Sequence, residues 1–221
     1  GAEAVAMEVS SHALELGRVT GVRFANAIFT NLTQDHLDFH ATMEAYGAAK
    51  TKLFTDYPVQ RRIVNADDAF GETLIARGLP NTLSYGLHHG EVRADIRSMS
   101  SGGMQFTLHF AGKTASVHTL LIGRFNAANL MAVAATLLAE NIVASVLEKL
   151  TAAPGRMQRV MPESSTDLPS VYVDYAHTPD ALAKALDAVR ETQPQSLAVV
   201  FGCGGDRDRS KRSVMGGIAA D

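Results

Sequence analysis

Residues 30 to 40 read TNLTQDHLDFH and put Asp35, His36, Asp38 and His40 within six positions, directly after an apolar run. Imidazoles and carboxylates at this density hold a divalent cation or relay a proton, and they also close turns by bonding nearby backbone groups. The cluster alone leaves both readings open. Glu8 ends a second apolar stretch, "AVAMEV". In open α/β sheets ligands gather at the carboxyl ends of the strands, so two strand ends bearing Glu8 and His36 would aim donors at one place. Lys50 reads by itself as a solvated lysine whose stem lies along a helix. "GCGGDRDRSKR", residues 202 to 212, is either a solvated charged turn or a place where backbone N–H groups and arginines receive an anion.

The elements that must position these groups follow from the hydrophobic pattern. "AVAMEV" and "FANAIFTN" are short and apolar, which predicts buried parallel strands. Helical spacing begins at Thr42, placed as an N-cap, with Met43, Tyr46, Ala49 and Leu53 recurring every three or four residues and Lys50 in the same helix. "RRIVNADD" predicts a strand running into an Asp-rich turn, and "AFGETLIARG" a helix stopped by Gly78. From about Leu83 to Val117, "ADIRSMS", "MQFTLHF" and "TASVHTL" predict a small antiparallel hairpin region with Gly102 and Gly103 at a turn. "GRFNAANLMAVAATLLAE" predicts a long helix capped near Asn126. "ASVLEKLTAAPGR" predicts a second helix ending at Pro154 and Gly155, where the domain boundary is expected: 1–154 and 155–221. The remainder alternates strand, loop, helix, strand, loop, helix, a βαβ unit opening a second α/β domain.

Composition narrows the function classes. The 221 residues carry a net charge of −3 with basic residues scattered except near 207 to 212, which argues against a nucleic-acid partner. A single cysteine, Cys203, excludes an internal disulfide, and no apolar run reaches the roughly 18 residues of a membrane span. The chain opens without Met or a leader pattern and ends in a helix-like stretch, as a piece of a longer protein would. Two glycine motifs are decoys. "FGCGG" lacks the third glycine of a dinucleotide fingerprint, because position 207 is Arg. "AGKT" at 111 to 114 lacks the leading glycine of a phosphate loop, because position 107 is Thr, and its flanks read as β on both sides.

Taken in order, "MEVSSH", "FTNLTQDHLDFH", "YGAAKTKLF", "GRFNAANLMAV", "GRMQRV", "DYAHTPDAL" and "FGCGGDRDRSKR" resemble the Mur ligase family over nearly the whole chain. "DYAHTPDAL" together with "FGCGGDRD" resembles its branch that adds the third amino acid of the peptidoglycan stem peptide. The resemblance implies an α/β fold: a parallel-sheet central ATPase domain with a small antiparallel β region, followed by the start of a Rossmann-like C-terminal domain. It implies a cytoplasmic, monomeric enzyme without a membrane span. Its substrates would be ATP, UDP-MurNAc-L-Ala-D-Glu and an amino acid, meso-diaminopimelate being expected and lysine the alternative. ATP would phosphorylate the free carboxylate, and the incoming amine would displace phosphate.

Residue by residue, the resemblance makes Glu8, His36 and Lys50 the Mg²⁺ ligands, with Lys50 carbamylated by CO2 and counted as catalytic together with His177. Asp35, Asp38 and His40 then become supporting or turn residues, since Mg²⁺ takes few protein ligands. Asn126, Arg156, Asp174 and His177 match ATP-binding positions, and Ser10 and Arg18 match positions that hold the UDP-sugar peptide. Arg207 matches a position that meets the incoming amino acid's carboxylate, a group that suits an arginine fork. Closure of the two domains about the Pro154 and Gly155 hinge is expected to accompany chemistry. Three departures stand beside this. The family's GTNGKT-type phosphate loop and its DNPR-type amino-acid motif do not occur in this sequence, and Leu16 stands where some members have Gln. On that ground the chain by itself is expected to be inactive. The alternatives are another Mur-type ligase, of the MurF or folylpolyglutamate synthase kind, and a non-catalytic nucleotide-binding remnant.

Overall fold

The computed structural model describes residues 1–33, 37–139, 144–160, 168–203 and 210–220. The chain divides into two compact units, Gly1–Arg93 with Met131–Asn141, and Ala94–Leu130 with Ile142–Asp221. The fold is mixed α/β, with six strands ordered β1-β2-β3-β4-β5-β6 and a separate two-stranded ladder.

In the first unit the helix α1 (Ser11–Glu15) precedes β1 (Phe24–Phe29), α2 (Leu37–His40), α3 (Met43–Thr55), β2 (Val59–Asn65), α4 (Ala69–Ala76) and β3 (Thr82–Gly86). β1, β2 and β3 are parallel neighbours, with Phe24 opposite Val59 and Arg62 opposite Thr82. Thr42 caps α3 as the sequence predicts, its hydroxyl accepting from Ala45 N–H at 3.1 Å. Asp68 caps α4, and Gly78, at φ +63°, follows its end. Leu14, Phe29, Phe54, Val64 and Leu74 form the core between these helices and the sheet.

β3 also pairs in parallel with the start of β4 (Val92–Ser100), although only five residues join them. Parallel crossovers ordinarily need about a dozen residues or more. Here only Tyr85 and Gly86 are aligned, with Val92 and Arg93, so a tight loop suffices. Gly90 permits it: at φ +106° a Cβ would lie 2.9 Å from the Cα of Tyr85. The antiparallel expectation, begun near Leu83, therefore fails for β3 and holds for β5 (Gly103–Phe110) and β6 (Lys113–Thr119). Ala111 and Gly112, at φ +50° and +73°, are the two-residue turn between them. "AGKT" is thus a hairpin corner and no phosphate loop.

Four further expectations are corrected. Residues 4–9 form no strand, and Val5 and Met7 are exposed. A segment apolar on both faces is buried only where strands flank it and helices cover it, and β1 pairs on β2 alone among the described residues. The helix α5 (Arg124–Ala139) starts before Asn126, which sits in its first turn and donates to Ile122 O at 2.8 Å. Ala144–Lys149 is a 3₁₀ segment instead of a helix running to Pro154. In the second unit β7 (Gln158–Arg159) and β8 (Tyr172–Val173) form only a two-residue antiparallel ladder, and residues 196–203 form no strand. Val200 there is fully exposed. The helices of that stretch are as expected, α6 (Pro179–Arg190) and α7 (Ser210–Ala220), joined by Leu182, Leu186 and Met215.

Candidate active site

In the first unit the carboxyl ends of the parallel strands are tied to one another by side chains. The buried Tyr85 of β3 donates its hydroxyl to Phe29 O at the end of β1, 3.0 Å away. Burial, with Asp68 and Asp67 nearby, pushes its phenol well above the ordinary range and keeps the donor proton in place. Asn65, ending β2, donates to Thr30 O at 2.7 Å. Asp68 accepts from Phe70 N–H and Gly71 N–H with one oxygen and from Leu32 N–H with the other, at 2.9, 3.1 and 3.1 Å. The stretch leaving β1 is therefore fixed to the start of α4. Asp67 accepts from the successive N–H groups of Leu87, His88 and His89. Burial alone would raise its pKa, but these donors outweigh it and hold the carboxyl below its usual value.

α1 follows Glu8 in the chain. Ser10 is its N-cap, its hydroxyl accepting from Ala13 N–H at 3.1 Å, while the next residue, Ser11, is buried against His40 with Oγ and Nε2 2.8 Å apart. His40 stacks on Tyr46 with ring centroids 5.2 Å apart, and the Lys50 ammonium lies 5.1 Å from the Tyr46 ring centroid. Glu15 and Lys52 add a partly exposed ion pair of 2.7 Å between α1 and α3. Glu8 and Arg18 are at least partly exposed.

The second unit gathers a different group. Asp174 accepts from Met157 N–H and Ala176 N–H at 2.9 and 2.8 Å, which clamps the turn containing Arg156 to the loop after β8. The Arg156 guanidinium lies 5.1 Å from the centroid of Tyr175. Tyr175 meets the His177 ring edge-on at 5.3 Å, and His177 Nδ1 is 3.1 Å from Tyr175 O, the geometry of an imidazole N–H donating to that carbonyl. Thr178 and Pro179 then start α6. Arg156, Asp174 and His177 are thereby one local constellation, whose guanidinium and imidazole suit an anionic ligand.

Asp35, His36, Arg207 and the side chain of Asp38 lie outside the described residues. Among the described residues no group of three His, Cys, Asp or Glu side chains converges as a metal site would require. An open depression of about 580 Å³ is bordered by Leu14, Arg23, Lys52 and Tyr57, near the amino ends of β1 and β2 and made of none of the predicted site residues. Sequence reasoning missed Asn65, Asp67, Asp68 and Tyr85. The "NADD" turn signalled the first three and nothing signalled Tyr85, whose partner Phe29 is 56 positions away.

Residues 1–137 match the Mur ligase middle domain, and residues 155–221 match the Mur ligase, glutamate ligase domain. The chain belongs to the Mur ligase family. It is 49% identical over 228 residues to the UDP-N-acetylmuramoyl-L-alanyl-D-glutamate--2,6-diaminopimelate ligase of Chromobacterium violaceum, covering 99% of this chain and 46% of that protein. The enzyme of that name from Neisseria meningitidis serogroup B is 46% identical over 231 residues, again with 99% and 46% covered. A solved structure of a ligase of that name superposes with a TM-score of 0.72 at 36% identity, over 96% of this chain and 45% of that one. MurC from Thermotoga maritima shares the fold alone, with a TM-score of 0.63 at 23% identity over 76% of this chain and 38% of that one. The chain spans about half the length of the curated relatives it matches.

Proposed function

We propose that the protein carrying this chain is an ATP-dependent, ADP-forming ligase that joins 2,6-diaminopimelate to UDP-MurNAc-L-Ala-D-Glu in peptidoglycan precursor synthesis. The observation that carries this reading is identity of 46 to 49% across 99% of the chain to ligases bearing that name. It favours this substrate over lysine, over the MurF and folylpolyglutamate synthase alternatives, and over a remnant without turnover. In this reading residues 1–154 and 155–221 are parts of the central and C-terminal domains, and the setting is cytoplasmic.

The chemistry asks for charge neutralisation, since a triphosphate is brought against a carboxylate. Glu8 would supply a hard oxygen of the kind Mg²⁺ takes, with His36 assigned beside it by resemblance; the ion, when bound, would offset the negative charge of the phosphates. Lys50 as an ammonium does not fit such a site. Loss of one proton from the ammonium, addition of CO2 to the amine and loss of a second proton from nitrogen would give a carbamate, whose oxygens do fit. Arg156, Asp174 and His177 are assigned to ATP, and the clamping of the Arg156 turn to the loop that carries the other two supports that. Asn126 is placed with them by resemblance, Ser10 and Arg18 with the UDP-sugar peptide, and Arg207 with the amino acid.

The test uses the full-length protein in a coupled ADP-release assay, with product mass as a second readout. ADP release that requires both UDP-MurNAc-L-Ala-D-Glu and meso-diaminopimelate is expected. Release without the dipeptide, or a preference for lysine or D-alanyl-D-alanine, would overturn the assignment.

A further inference from the structure

The Ser11 and His40 pair is a polar contact in the interior of the first unit, with Ser11 1% and His40 8% exposed. A buried hydrogen bond contributes only about 1 kcal/mol net, and replacing both partners by apolar groups of the same shape is nearly neutral. Such a pair therefore does more for geometry than for stability. What needs that geometry is α1, which has five residues. A helix that short has no stability of its own, so its place is set by its contacts, which are Leu14 buried in the core and two polar tethers. One tether is the Glu15 and Lys52 ion pair, whose side chains are each about one-third exposed and which is therefore weak and adjustable. The other is Ser11 on His40.

His40 is itself held from a second side. Its ring is nearly parallel to that of Tyr46, with an interplanar angle of 26°, and Tyr46 carries the Lys50 ammonium on its ring. His12 and Phe39 add further ring contacts at 5.5 and 4.8 Å. A continuous path therefore runs from Ser11 through His40 to Tyr46, one turn before Lys50 on α3, made of one directional bond and one ring contact. Ser10 begins α1, directly before Ser11. Its oxygen accepts the capping N–H, so its hydroxyl hydrogen remains to be donated to an acceptor group on a substrate.

We infer that His40 is a positioning residue, which sets the start of α1, and with it Ser10, in register with Lys50 on α3. The inference rests on the reading of function above, in which Ser10 contacts the UDP-sugar peptide. His40 touches neither substrate; it acts through Ser11 on one side and Tyr46 on the other.

The experiment compares steady-state kinetics of the full-length protein with Ser11→Ala, His40→Phe and His40→Gln. His40→Phe keeps a ring on Tyr46 and loses the bond; His40→Gln keeps an amide able to reach Ser11 and loses the ring. Ser11→Ala and His40→Phe are each expected to raise KM for UDP-MurNAc-L-Ala-D-Glu about fivefold, the scale of one hydrogen bond, with KM for ATP unchanged. The double variant should be no worse than the worse single one, and His40→Gln should recover part of the loss. Unchanged KM values in both single variants, or equal rises for ATP and the sugar peptide, would overturn the inference and leave the reading of function intact. A wild-type protein without dipeptide-dependent ADP release would overturn the function and this inference together. If His40→Phe does not fold, Ser11→Ala, which removes only a hydroxyl, decides the matter.

Discussion

The two units hold their candidate residues in contrasting ways. In the first, the carboxyl ends of β1, β2 and β3 are cross-tied by Tyr85, Asn65 and Asp68, side chains whose partners are 56, 35 and 36 positions away. In the second, Arg156, Asp174 and His177 are assembled by backbone turns, one carboxylate and a two-residue ladder. Closely packed strands leave a side chain little freedom, whereas a turn clamped by two hydrogen bonds costs little to deform. The difference teaches where each unit takes its rigidity: side-chain bonds between strand ends far apart in sequence fix the first, and short local turns shape the second.

The largest expected break concerns chemistry in the first unit. Lys50→Ala in the full-length protein should lower kcat about 100-fold or more, the scale on which losing one preorganised electrostatic group is felt. Turnover by this variant near the wild-type level at saturating magnesium would make Lys50 a structural lysine. Packing on the tied edge gives the next effect. A Cβ on Gly71 would lie 1.9 Å from Asn65 O, backbone that cannot yield without moving α4 off β2. Gly71→Ala should therefore destabilise by about 3 kcal/mol in urea unfolding. Tyr85→Phe should cost about 1 to 2 kcal/mol by leaving Phe29 O without this donor.

The second unit should answer with the opposite sign. Gly217 lies inside α7, and a Cβ added to it would meet nothing within 4 Å, so Gly217→Ala should stabilise by roughly 0.5 to 1 kcal/mol. A loss instead would mean that α7 is held as tightly as α4. The smallest effect is a pH dependence. Because the folded state holds Asp67 below its usual value, its contribution is present above about pH 3.8 and is lost as pH falls through the lower folded value. Wild type and Asp67→Asn should therefore differ in stability at neutral pH and converge in acid. A gap that persists unchanged into strong acid would show that Asp67 acts by shape alone.

Local rules made much of this chain readable. Thr42 with Met43, Tyr46, Ala49 and Leu53 specifies α3, because capping and a 3.6-residue period act within a few positions. Gly78 stops α4, and the β flanks around "AGKT" exclude a phosphate loop, for equally local reasons. The Arg156, Asp174 and His177 constellation was legible by resemblance, since those residues sit in two short motifs. Where the pattern misled, it was for strands. "AVAMEV" and "SLAVV" have strand composition, yet a strand is made by its neighbours, and the described residues offer these two no ladder. The start of α5 lies slightly before the expected position near Asn126, because Gly123 and Arg124 already turn the chain into the helix.

By itself, then, the sequence determined α3, α4, α6 and α7, the β character of the flanks around "AGKT" and the family. Only the tertiary structure decided that Tyr85 reaches Phe29, that Asp68 holds Leu32, and that Ser11 meets His40 beside the ring that carries Lys50. Those contacts join residues 29 to 56 positions apart, and no local propensity encodes them. They appear when strands align in register and bury the polar groups that must then find one another.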